Sequence, residues 1–343
     1  MENLFKNKKI LVTGGTGSIG SEIVRHLLKF APAVIRIFDI DEEGQFYFTN
    51  ELTAYSNARF LIGDVRNKER LRLAMRDIDI VFHAAALKHV PLCEYNPFEA
   101  IETNILGTQN VISAAIEQNV RNVIVISSDK ATEPINVMGA TKLLAERLVV
   151  GASAYSHGKT GPLLSCVRFG NVINSRGSIV PLVIRQIQKG GPVTITDPGM
   201  SRFIMSIQEA VRLLFSTLEL MQGGEVFILK MSAFRVIELI EVLIEELAPK
   251  FGFKKQEILI KHIGRRSGER NHEILMTEIE SETALELKDM YILIPTAEFP
   301  FLGVKYIYKG AKPLVRKHAI VSRDINQISK AELKKILLKE KIL

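Results

Sequence analysis

A short apolar run followed by closely spaced glycines constrains the fold of this chain more than any other feature. The run Ile10–Thr13 is typical of a buried strand, and Gly14-Gly15-Thr16-Gly17-Ser18-Ile19-Gly20 leads from it into a segment with helical periodicity. In such a unit the glycines permit a tight turn, close approach of the backbone to a pyrophosphate and close packing of helix on strand. The alternative is a glycine turn with a purely structural role. We predict a dinucleotide site whose phosphate-binding residues are Gly14, Thr16, Gly17, Ser18, Ile19 and Gly20.

Strand-like and helix-like segments alternate through the first half of the chain. Apolar, β-branched runs occur at Ile10–Thr13, Val34–Phe38, Phe60–Ile62, Ile80–Phe82 and Val123–Ile126. Continuous apolar runs are typical of strands buried on both faces of a parallel sheet. We therefore expect an α/β fold with a doubly wound parallel sheet of the Rossmann type.

The pattern loosens after about residue 170, where turn signals such as Gly190-Gly191-Pro192 appear. We predict a dinucleotide-binding domain over residues 1–170. Residues 171–343 are predicted to form a smaller, mixed α/β substrate-binding region that is partly interleaved with the sheet. This region ends with Ser329-Lys330-Ala331-Glu332, a capping box that begins a short amphipathic helix. We expect that helix to dock on the protein's own core.

The net charge of +7 is concentrated at the C-terminus. From Lys305 onward, eleven basic and three acidic residues give a net charge of +8, with no basic stripe carrying interleaved aromatic residues. We expect a solvated tail and no nucleic-acid partner. The other partners open to such a tail are an acidic protein, a second subunit and a membrane surface.

Apolar runs and cysteines limit the other classes of function. No run approaches the roughly 18 apolar residues of a spanning helix, and the N-terminus has no signal-peptide core. We therefore expect a cytoplasmic protein without membrane insertion. Cys93 and Cys166 have no metal-ligand spacing, so the sequence predicts no metal site.

An acidic residue follows the glycines at the distance typical of dinucleotide-binding folds. Asp39 stands about 20 residues beyond Gly20, at the end of the second predicted strand. A carboxylate there accepts hydrogen bonds from the adenosine ribose and repels a 2′-phosphate. Arg36 lies inside the strand and is poorly placed to neutralise such a phosphate. NAD is therefore favoured over NADP.

The spacing of Gly14, Gly17 and Gly20 resembles the extended short-chain dehydrogenase/reductase superfamily. That resemblance implies an adenine contact at Asp64-Val65, a segment along the cofactor at Ala84-Ala85-Ala86, and a supporting helix residue, Asn104. His83 beside them is predicted to be a core histidine. The superfamily's Tyr-x-x-x-Lys signature places two side chains on one helix face, where the Lys lowers the Tyr pKa. Lys142 is present here, but Met138 occupies the Tyr position.

A narrower resemblance accounts for Met138. The segments Ser127-Ser128-Asp129-Lys130-Ala131 and Pro134-Ile135-Asn136-Val137-Met138-Gly139-Ala140-Thr141-Lys142 are similar to the UDP-N-acetylglucosamine 4,6-dehydratases of surface-glycan synthesis, some of which carry Met in place of Tyr. Further similar segments extend the resemblance from residue 8 to residue 280: Ala86–Pro91, Arg168–Val172, Ser175–Ser178, Ser201–Phe203 and Gly264–Glu269.

This resemblance implies a reaction and a set of catalytic residues. Hydride leaves C4 of the sugar for the nicotinamide, a base removes the C5 proton, an acid protonates the departing C6 hydroxyl, and hydride returns to C6. The cofactor is therefore held tightly and recycled. Asp129 is implied as the acid and Lys130 as the base. We expect burial to raise the carboxyl pKa, and burial together with nearby Lys142 to lower the amine pKa. Because Met138 has no ionisable group, we expect a water held by Lys142 or Ser128 to take the C4 hydroxyl proton.

The same resemblance implies a site for UDP-N-acetylglucosamine or a related UDP-sugar. A UDP group needs cations for its phosphates and hydrogen-bonding partners for its ribose. Arg202 and Arg266 resemble diphosphate-contacting arginines, and Glu269 resembles the carboxylate that holds the ribose hydroxyls. Asn171 resembles a phosphate contact, and Lys88 a sugar or phosphate contact. The resemblance also implies a homo-oligomer.

Two other functions stay open. A UDP-sugar 4-epimerase uses the same hydride withdrawal without elimination, but it does not need the Asp129–Lys130 pair and ordinarily relies on Tyr at position 138. A cofactor-binding regulator without catalysis is favoured by Met138 and opposed by the retained Asp129, Lys130 and Lys142.

Overall fold

A computed structural model describes residues 2–156, 161–295, 306–315 and 317–343 of the chain. Lys305 and Arg316 of the predicted basic tail lie outside these residues. The described strands are β1 Lys9–Thr13, β2 Val34–Asp39, β3 Ala58–Ile62, β4 Ile80–His83, β5 Asn122–Ile126, β6 Leu163–Arg168, β7 Asn171–Val172, β8 Val193–Ile195, β9 Ser201–Met205, β10 Val226–Leu229, β11 Ser232–Arg235, β12 Ile260–His262, β13 Ile274–Met276, β14 Ala284–Glu286, β15 Met290–Leu293, β16 Lys312–Pro313 and β17 Ile320–Val321.

Helices alternate with these strands. The described α-helices are α1 Glu2–Phe5, α2 Ser18–Leu27, α3 Glu42–Glu51, α4 Lys68–Ala74, α5 Val90–Tyr95, α6 Pro97–Ile101, α7 Gly107–Glu117, α8 Val137–Ser156, α9 Ile179–Gln188, α10 Ile207–Leu220, α11 Val236–Leu247, α12 Glu278–Thr283 and α13 Lys330–Lys339. A π-helical turn, Glu102–Leu106, joins α6 to α7. In these segments no helix is both long and apolar enough to cross a membrane.

A ten-stranded sheet forms the centre of the molecule, in the order β16-β14-β15-β10-β6-β5-β4-β1-β2-β3. The strands from β3 to β10 pair in parallel, and β15, β14 and β16 extend the sheet with antiparallel pairings. Val12 of β1 faces Ile37 of β2 on one side and Phe82 of β4 on the other. The predicted α/β fold with a doubly wound, Rossmann-type sheet is confirmed.

Both faces of the sheet are covered by apolar side chains. One face packs an aromatic cluster of Phe5, Phe82 and Phe215 between the sheet and helices α2 and α10. The other face packs residues such as Leu11 and Val123 against α4, α7 and α8. Burial on two faces explains why these strands are apolar at successive positions.

A third apolar cluster lies in the C-terminal half, around Val183 of α9 and Leu243 of α11. Helix α13 docks there through the buried Leu333 and Leu337, and its capping box at Ser329 is formed as predicted. The central sheet also takes β10, β14, β15 and β16 from this half. A division at residue 170 stays a prediction.

Candidate active site

The carboxyl ends of the parallel strands bring the predicted cofactor segments together. Because β1, β4 and β5 are neighbours in the sheet, the residues that follow Thr13, His83 and Ile126 meet at one edge. Two adjoining cavities of about 330 and 580 Å³ open along this edge, and both are lined by Gly14, Gly17, Ala84 and Ala86.

The glycine turn fits a dinucleotide. Gly14 has a φ of +65°, and a Cβ there would lie 2.6 Å from the backbone nitrogen of Ala85. A Cβ at Gly20 would lie 2.1 Å from the carbonyl oxygen of Gly14, so α2 could not pack as closely on the turn. Gly17 caps α2 and supplies no side-chain hydrogen bond to its first turn. The helix N-terminus, with Ser18 and Ile19, is thus available to an anionic group in the larger cavity.

Asp39 lies in the smaller cavity with a fixed orientation. Its Oδ2 accepts hydrogen bonds from the backbone nitrogen and hydroxyl of Thr16, at 2.9 and 2.7 Å. Asp64, Val65 and Ala85 line the same cavity. The guanidinium of Arg36 donates instead to the carbonyls of Ala74 and Arg76, so it is turned away from the cavity, as its position in the strand predicts.

Asn104 is buried in the π-helical turn and ties three segments together. Its side-chain oxygen accepts from Leu87 N at 2.8 Å, and its nitrogen donates to Leu87 O and to the hydroxyl of Thr141 on α8, both at 2.9 Å. It therefore fixes the segment after β4 against the helix that carries Lys142. His83 is buried between the hydroxyls of Thr13 and Thr108, and burial lowers its pKa to about 3. These contacts are those of a core histidine.

The larger cavity contains the predicted reaction residues: Ser128, Asp129, Lys130, Met138 and Lys142. Asp129 and Lys130 stand in a short 3-10 turn after β5, where the Ser128 hydroxyl accepts a hydrogen bond from Lys130 N. Met138 and Lys142 lie one turn apart on α8. The dinucleotide turn and the reaction residues therefore share one cavity.

Asp129 is fully buried, and its two oxygens differ. Oδ1 accepts hydrogen bonds from Ser128 Oγ at 2.9 Å and from Lys130 Nζ at 3.1 Å. Among the described residues Oδ2 has no hydrogen-bond partner. Burial raises the pKa of the carboxyl, against the opposing charge of Lys130. Oδ2 is the oxygen on which a proton can rest without breaking an existing bond.

Lys130 differs from expectation. Its Nζ lies 3.1 Å from Asp129 Oδ1 and also 3.1 Å from Glu273 Oε1. Burial lowers the pKa of Lys130, but the two carboxyl groups outweigh burial and hold it above its usual range. The prediction of a lowered amine pKa is therefore wrong for Lys130, because the charges of Asp129 and of the unforeseen Glu273 together outweigh burial.

Lys142 has the lowered pKa that was predicted for Lys130. Its Nζ donates to the carbonyl of Ile126 at 2.8 Å, and burial lowers its pKa to about 8. Met138 is 3% exposed and packs with Cys93 and Ala100. The methionine is thus an apolar wall of the cavity beside a lysine that is readily deprotonated.

The predicted nucleotide residues surround two smaller cavities, of about 160 and 190 Å³, next to the reaction residues. Both cavities are lined by Asn171, Arg202, Arg266 and Glu269. The buried side-chain oxygen of Asn171 has no partner in the described part of the chain and can accept a hydrogen bond. Lys88 lies apart from this group, on the rim of the reaction cavity.

The guanidinium of Arg202 is held by hydrogen bonds to backbone carbonyls. It donates to the carbonyls of Ser201, Arg270 and Asn271 at 2.8–3.0 Å. It also lies 3.9 Å from Glu269 and 3.7 Å from Glu273. In the described residues no cluster of His, Cys, Asp or Glu is arranged to hold a metal ion.

Comparison with known families agrees with this arrangement. The family model described as "Polysaccharide biosynthesis protein" matches residues 10–295. The chain belongs to this family. Its predicted resemblance to UDP-N-acetylglucosamine 4,6-dehydratases is also confirmed, since the inverting enzyme of that name from Campylobacter jejuni is 45% identical over 252 residues, which cover 72% of this chain and 74% of that enzyme.

Other relatives of this chain carry different descriptions. A Methanocaldococcus jannaschii protein described as an uncharacterized membrane protein is 53% identical over 337 residues, covering 98% of this chain and 97% of the relative. A UDP-glucose 4-epimerase from Rickettsia akari is 41% identical over 344 residues, covering 98% and 96%. Full-length similarity by itself therefore does not separate dehydratase from epimerase.

Two solved structures share the fold. Pen from Bacillus thuringiensis is 45% identical with a TM-score of 0.90, and the match covers 99% of both chains. MoeE5 in complex with UDP-glucuronic acid and NAD is 25% identical with a TM-score of 0.65, covering 77% of this chain and 88% of that one. The architecture is that of the extended short-chain dehydrogenase/reductases.

Two residues of the site were not predicted from the sequence. Glu273 lies only four residues after the Arg266–Glu269 segment. Nothing in the sequence around it, including the preceding His272, indicates a second buried carboxylate. Arg176 lines both large cavities and donates from Nη2 to the carbonyl of Thr16 at 2.9 Å. Arg176 belongs to the Ser175–Ser178 segment, which is similar to the dehydratase family, so a basic residue within that segment was the available signal for a binding role.

Proposed function

We propose that this protein is a UDP-N-acetylglucosamine 4,6-dehydratase that uses NAD and serves the synthesis of a surface polysaccharide or glycan. The observation that carries the proposal is the Asp129–Lys130 pair at the dinucleotide turn, in a cavity with Met138 in place of tyrosine. An acid next to a base is what elimination of water across C5 and C6 requires. The 45% identity to the Campylobacter jejuni dehydratase supports the same reading.

The fit of the glycine turn supports NAD as the cofactor. Gly14, Gly17 and Gly20 would admit the pyrophosphate, and Asp39 would accept the adenosine ribose hydroxyls. When bound, the nicotinamide would accept hydride from C4 and return it to C6. The carboxylate of Asp39 disfavours a 2′-phosphate, so we propose NAD rather than NADP. A cofactor that is regenerated in each turnover has no need to leave, and we propose that it is tightly held.

Asp129 is proposed as the acid that protonates the departing C6 oxygen. Its pKa is raised by burial, so the carboxyl keeps a proton at a pH where an exposed aspartate would have lost it. Its partner-free oxygen, Oδ2, is the natural site for that proton. Ser128 holds the other oxygen and so fixes the orientation of the carboxyl.

Lys130 is proposed as the base that removes the C5 proton. As a cation beside two carboxyl groups it must first release a proton to solvent through the cavities that it lines. With Asp129 protonated and Lys130 neutral, the pair would hold an acid and a base at the same time.

Removal of the C4 hydroxyl proton is assigned to Lys142, acting through a water. Its pKa of about 8 leaves a substantial fraction neutral near physiological pH. Ser128 is less suitable because its hydroxyl already donates to Asp129. Met138 would contribute shape alone.

The UDP group is proposed to occupy the cavities around Asn171, Arg202, Arg266 and Glu269. Arginine suits phosphate because its fork of donors can bind two oxygens at once. Glu269 would accept the uridine ribose hydroxyls, and Lys88 would contact the sugar or phosphate from the rim. Lys130 and Asn171 line both the nucleotide and reaction cavities, which would bring the sugar to the catalytic pair.

A homo-oligomer, a cytoplasmic location and the absence of a nucleic-acid partner stay predictions. The oligomer is supported by exposed apolar side chains beside the site: Leu92, Tyr95 and Phe98 are 62%, 84% and 80% exposed on α5 and α6.

A UDP-sugar 4-epimerase is the second candidate. It is favoured by the Rickettsia akari epimerase, which matches 98% of the chain, where the dehydratase relative matches 72%. Epimerisation at C4 includes no step in which an acid such as Asp129 protonates a leaving hydroxyl. The buried Asp129–Lys130 pair therefore favours elimination.

The test is incubation of the purified protein with UDP-N-acetylglucosamine in deuterated water, followed by proton NMR. We expect a new C6 methyl signal and deuterium at C5. Asp129→Asn should abolish the methyl signal, whereas Glu117→Gln, an exposed carboxylate at the distant end of α7, should keep it. Change of configuration at C4 without a methyl signal would favour the epimerase. No reaction with NAD added would refute both.

A further inference from the structure

A second carboxylate lies against the proposed catalytic pair. The side chain of Glu273 is 6% exposed, and its Oε1 lies 3.1 Å from Lys130 Nζ. The same oxygen lies 3.7 Å from Nε of Arg202 in the nucleotide cavity. One carboxylate oxygen therefore joins the lysine of the reaction cavity to an arginine of the nucleotide cavity.

The backbone of Glu273 is fixed by the C-terminal part of the chain. Its N–H donates to Ser322 Oγ at 3.0 Å, and Ser322 N donates to the carbonyl of Glu273 at 2.9 Å. Ser322 Oγ also lies 2.7 Å from the hydroxyl of Ser201, next to Arg202. Glu273 and Arg202 are thus held against each other by one buried serine, which limits how far the carboxylate can swing away from Lys130.

The charges around Glu273 favour its ionised form. The titratable and charged groups facing it are Lys130, Asp129, Arg202 and Arg270. Burial raises the pKa of Glu273, but the cations outweigh burial and hold it below its usual range. The pKa of Asp129 is raised, so Glu273 is the carboxylate of this cluster that keeps its negative charge.

We infer that Glu273 is a positioning residue of the reaction site, whose carboxylate holds the Lys130 side chain beside Asp129 and links it to Arg202. The inference rests on the proposed role of Lys130 as the base. It extends that proposal because the charge of Glu273 sets how readily Lys130 gives up its proton. It also gives the C-terminal segment a part in the reaction site, through Ser322.

The experiment measures the protonation of Lys130 directly, without turnover. The protein is pulsed with acetic anhydride across a range of pH, and acetylation of Lys130 and of the exposed Lys250 is followed by peptide mass spectrometry. Only the neutral amine reacts, so each pH midpoint reports one lysine. In the unmodified protein we expect the midpoint of Lys130 to lie above that of Lys250. A midpoint at or below that of Lys250 would overturn the inference.

Variants separate the charge of Glu273 from its shape. Glu273→Gln keeps the side-chain size, and in this variant we expect the acetylation midpoint of Lys130 to fall by about one pH unit or more. At a pH below both midpoints, Lys130 of the variant should then be acetylated about tenfold faster than in the parent protein. Glu273→Asp should restore most of the difference. Glu278→Gln, an exposed carboxylate on α12, is the matched control and should leave the midpoint unchanged. An unchanged midpoint in folded Glu273→Gln would refute the inference.

The NMR assay distinguishes failure of this inference from failure of the proposed function. If the Lys130 midpoint shifts and no methyl product forms, Glu273 still positions Lys130 and the dehydratase proposal fails. If product forms while the midpoint does not shift, the function stands and this inference fails. If both stand, the pH dependence of C5 deuteration should move downward in Glu273→Gln together with the Lys130 midpoint.

Discussion

Gly170 leaves room for the partner-free carboxyl oxygen of Asp129: a Cβ added at residue 170 would lie 3.1 Å from Oδ2. The same Cβ would lie 2.7 Å from Cβ of Phe203, a fully buried ring. Residue 170 follows β6, so the sheet brings it against the turn that carries Asp129, where Asp129 N donates to Phe169 O at 3.1 Å. The Oδ2 side of the proposed acid therefore lies against the backbone of Gly170, whereas its Oδ1 contacts the polar side chains of Ser128 and Lys130.

Gly170→Ala should reduce both stability and C5 deuteration. Two close approaches must be relieved in a packed interior, at a cost of about 1–3 kcal/mol, and the relief displaces Asp129. Thermal unfolding and the NMR assay measure the two effects. Gly151→Ala on α8 is the matched control, because a Cβ there meets no atom of the described residues within 4 Å. It should stabilise the helix by roughly 0.5–1 kcal/mol and leave product formation unchanged.

Met138→Leu should keep most of the activity. The two side chains are similar in volume, and Met138 packs with Cys93 and Ala100 without an ionisable role. We expect initial rates of methyl formation within about threefold of the parent protein, with an unchanged pH profile. A loss of a hundredfold in a stably folded variant would mean that the thioether itself takes part in the reaction.

The rate of hydride withdrawal should rise with pH through about 8. Lys142 has its pKa lowered to about 8 by burial, and the neutral amine is the form that can accept the C4 hydroxyl proton. The measurement is single-turnover nicotinamide absorbance against pH. In Lys142→Met the rise in rate near pH 8 should disappear. A residual rate that still rises near pH 8 would exclude Lys142 as the group that accepts the C4 hydroxyl proton.

Arg176→Ala should release the dinucleotide faster. Arg176 donates to Thr16 O at 2.9 Å and lines both large cavities, so the pyrophosphate would pass beside it. Loss of a charge-assisted hydrogen bond worth about 1.5–3 kcal/mol corresponds to roughly tenfold or more in the rate of exchange. Displacement of bound NAD by labelled NAD measures it. Arg185→Ala, an exposed arginine on α9, should exchange at the parent rate.

Glu280→Gln should lower stability at neutral pH and make it less sensitive to acid. Glu280 accepts from the buried Arg168 at 2.8 and 3.0 Å. Burial raises its pKa, but Arg168 outweighs burial and lowers it below the ordinary value of 4.5. A lowered folded pKa gives stability that is present above the unfolded pKa and is lost as the pH falls through the folded pKa. Denaturant unfolding at pH 7 and below pH 4.5 tests this, and Glu282→Gln, exposed on the same helix, is the control.

The predicted apolar runs account for β1 to β5 of the parallel sheet but not for β10 or β6. Ser165 and Arg168 interrupt the apolar run of β6, yet both are buried because they have distant partners. Ser165 Oγ donates to Glu225 at 2.6 Å, and Arg168 pairs with Glu146 at 2.7 Å. Local periodicity cannot reveal a polar residue whose partner lies about 60 residues further along the chain, as Glu225 does.

Local sequence patterns were enough to establish the strand–glycine–helix unit and the alternation of strands and helices. The family resemblance implied that Asn171, Arg202, Arg266 and Glu269 serve one nucleotide site. The order of the strands and the charges around Lys130 emerge only from the folded chain. Glu273 lies 3.1 Å from Lys130 although 143 positions separate them in the chain, and together with Asp129 it reverses the expected pKa shift of the lysine. A pKa depends on the sum of burial and all nearby charges, and that sum exists only once the chain is folded.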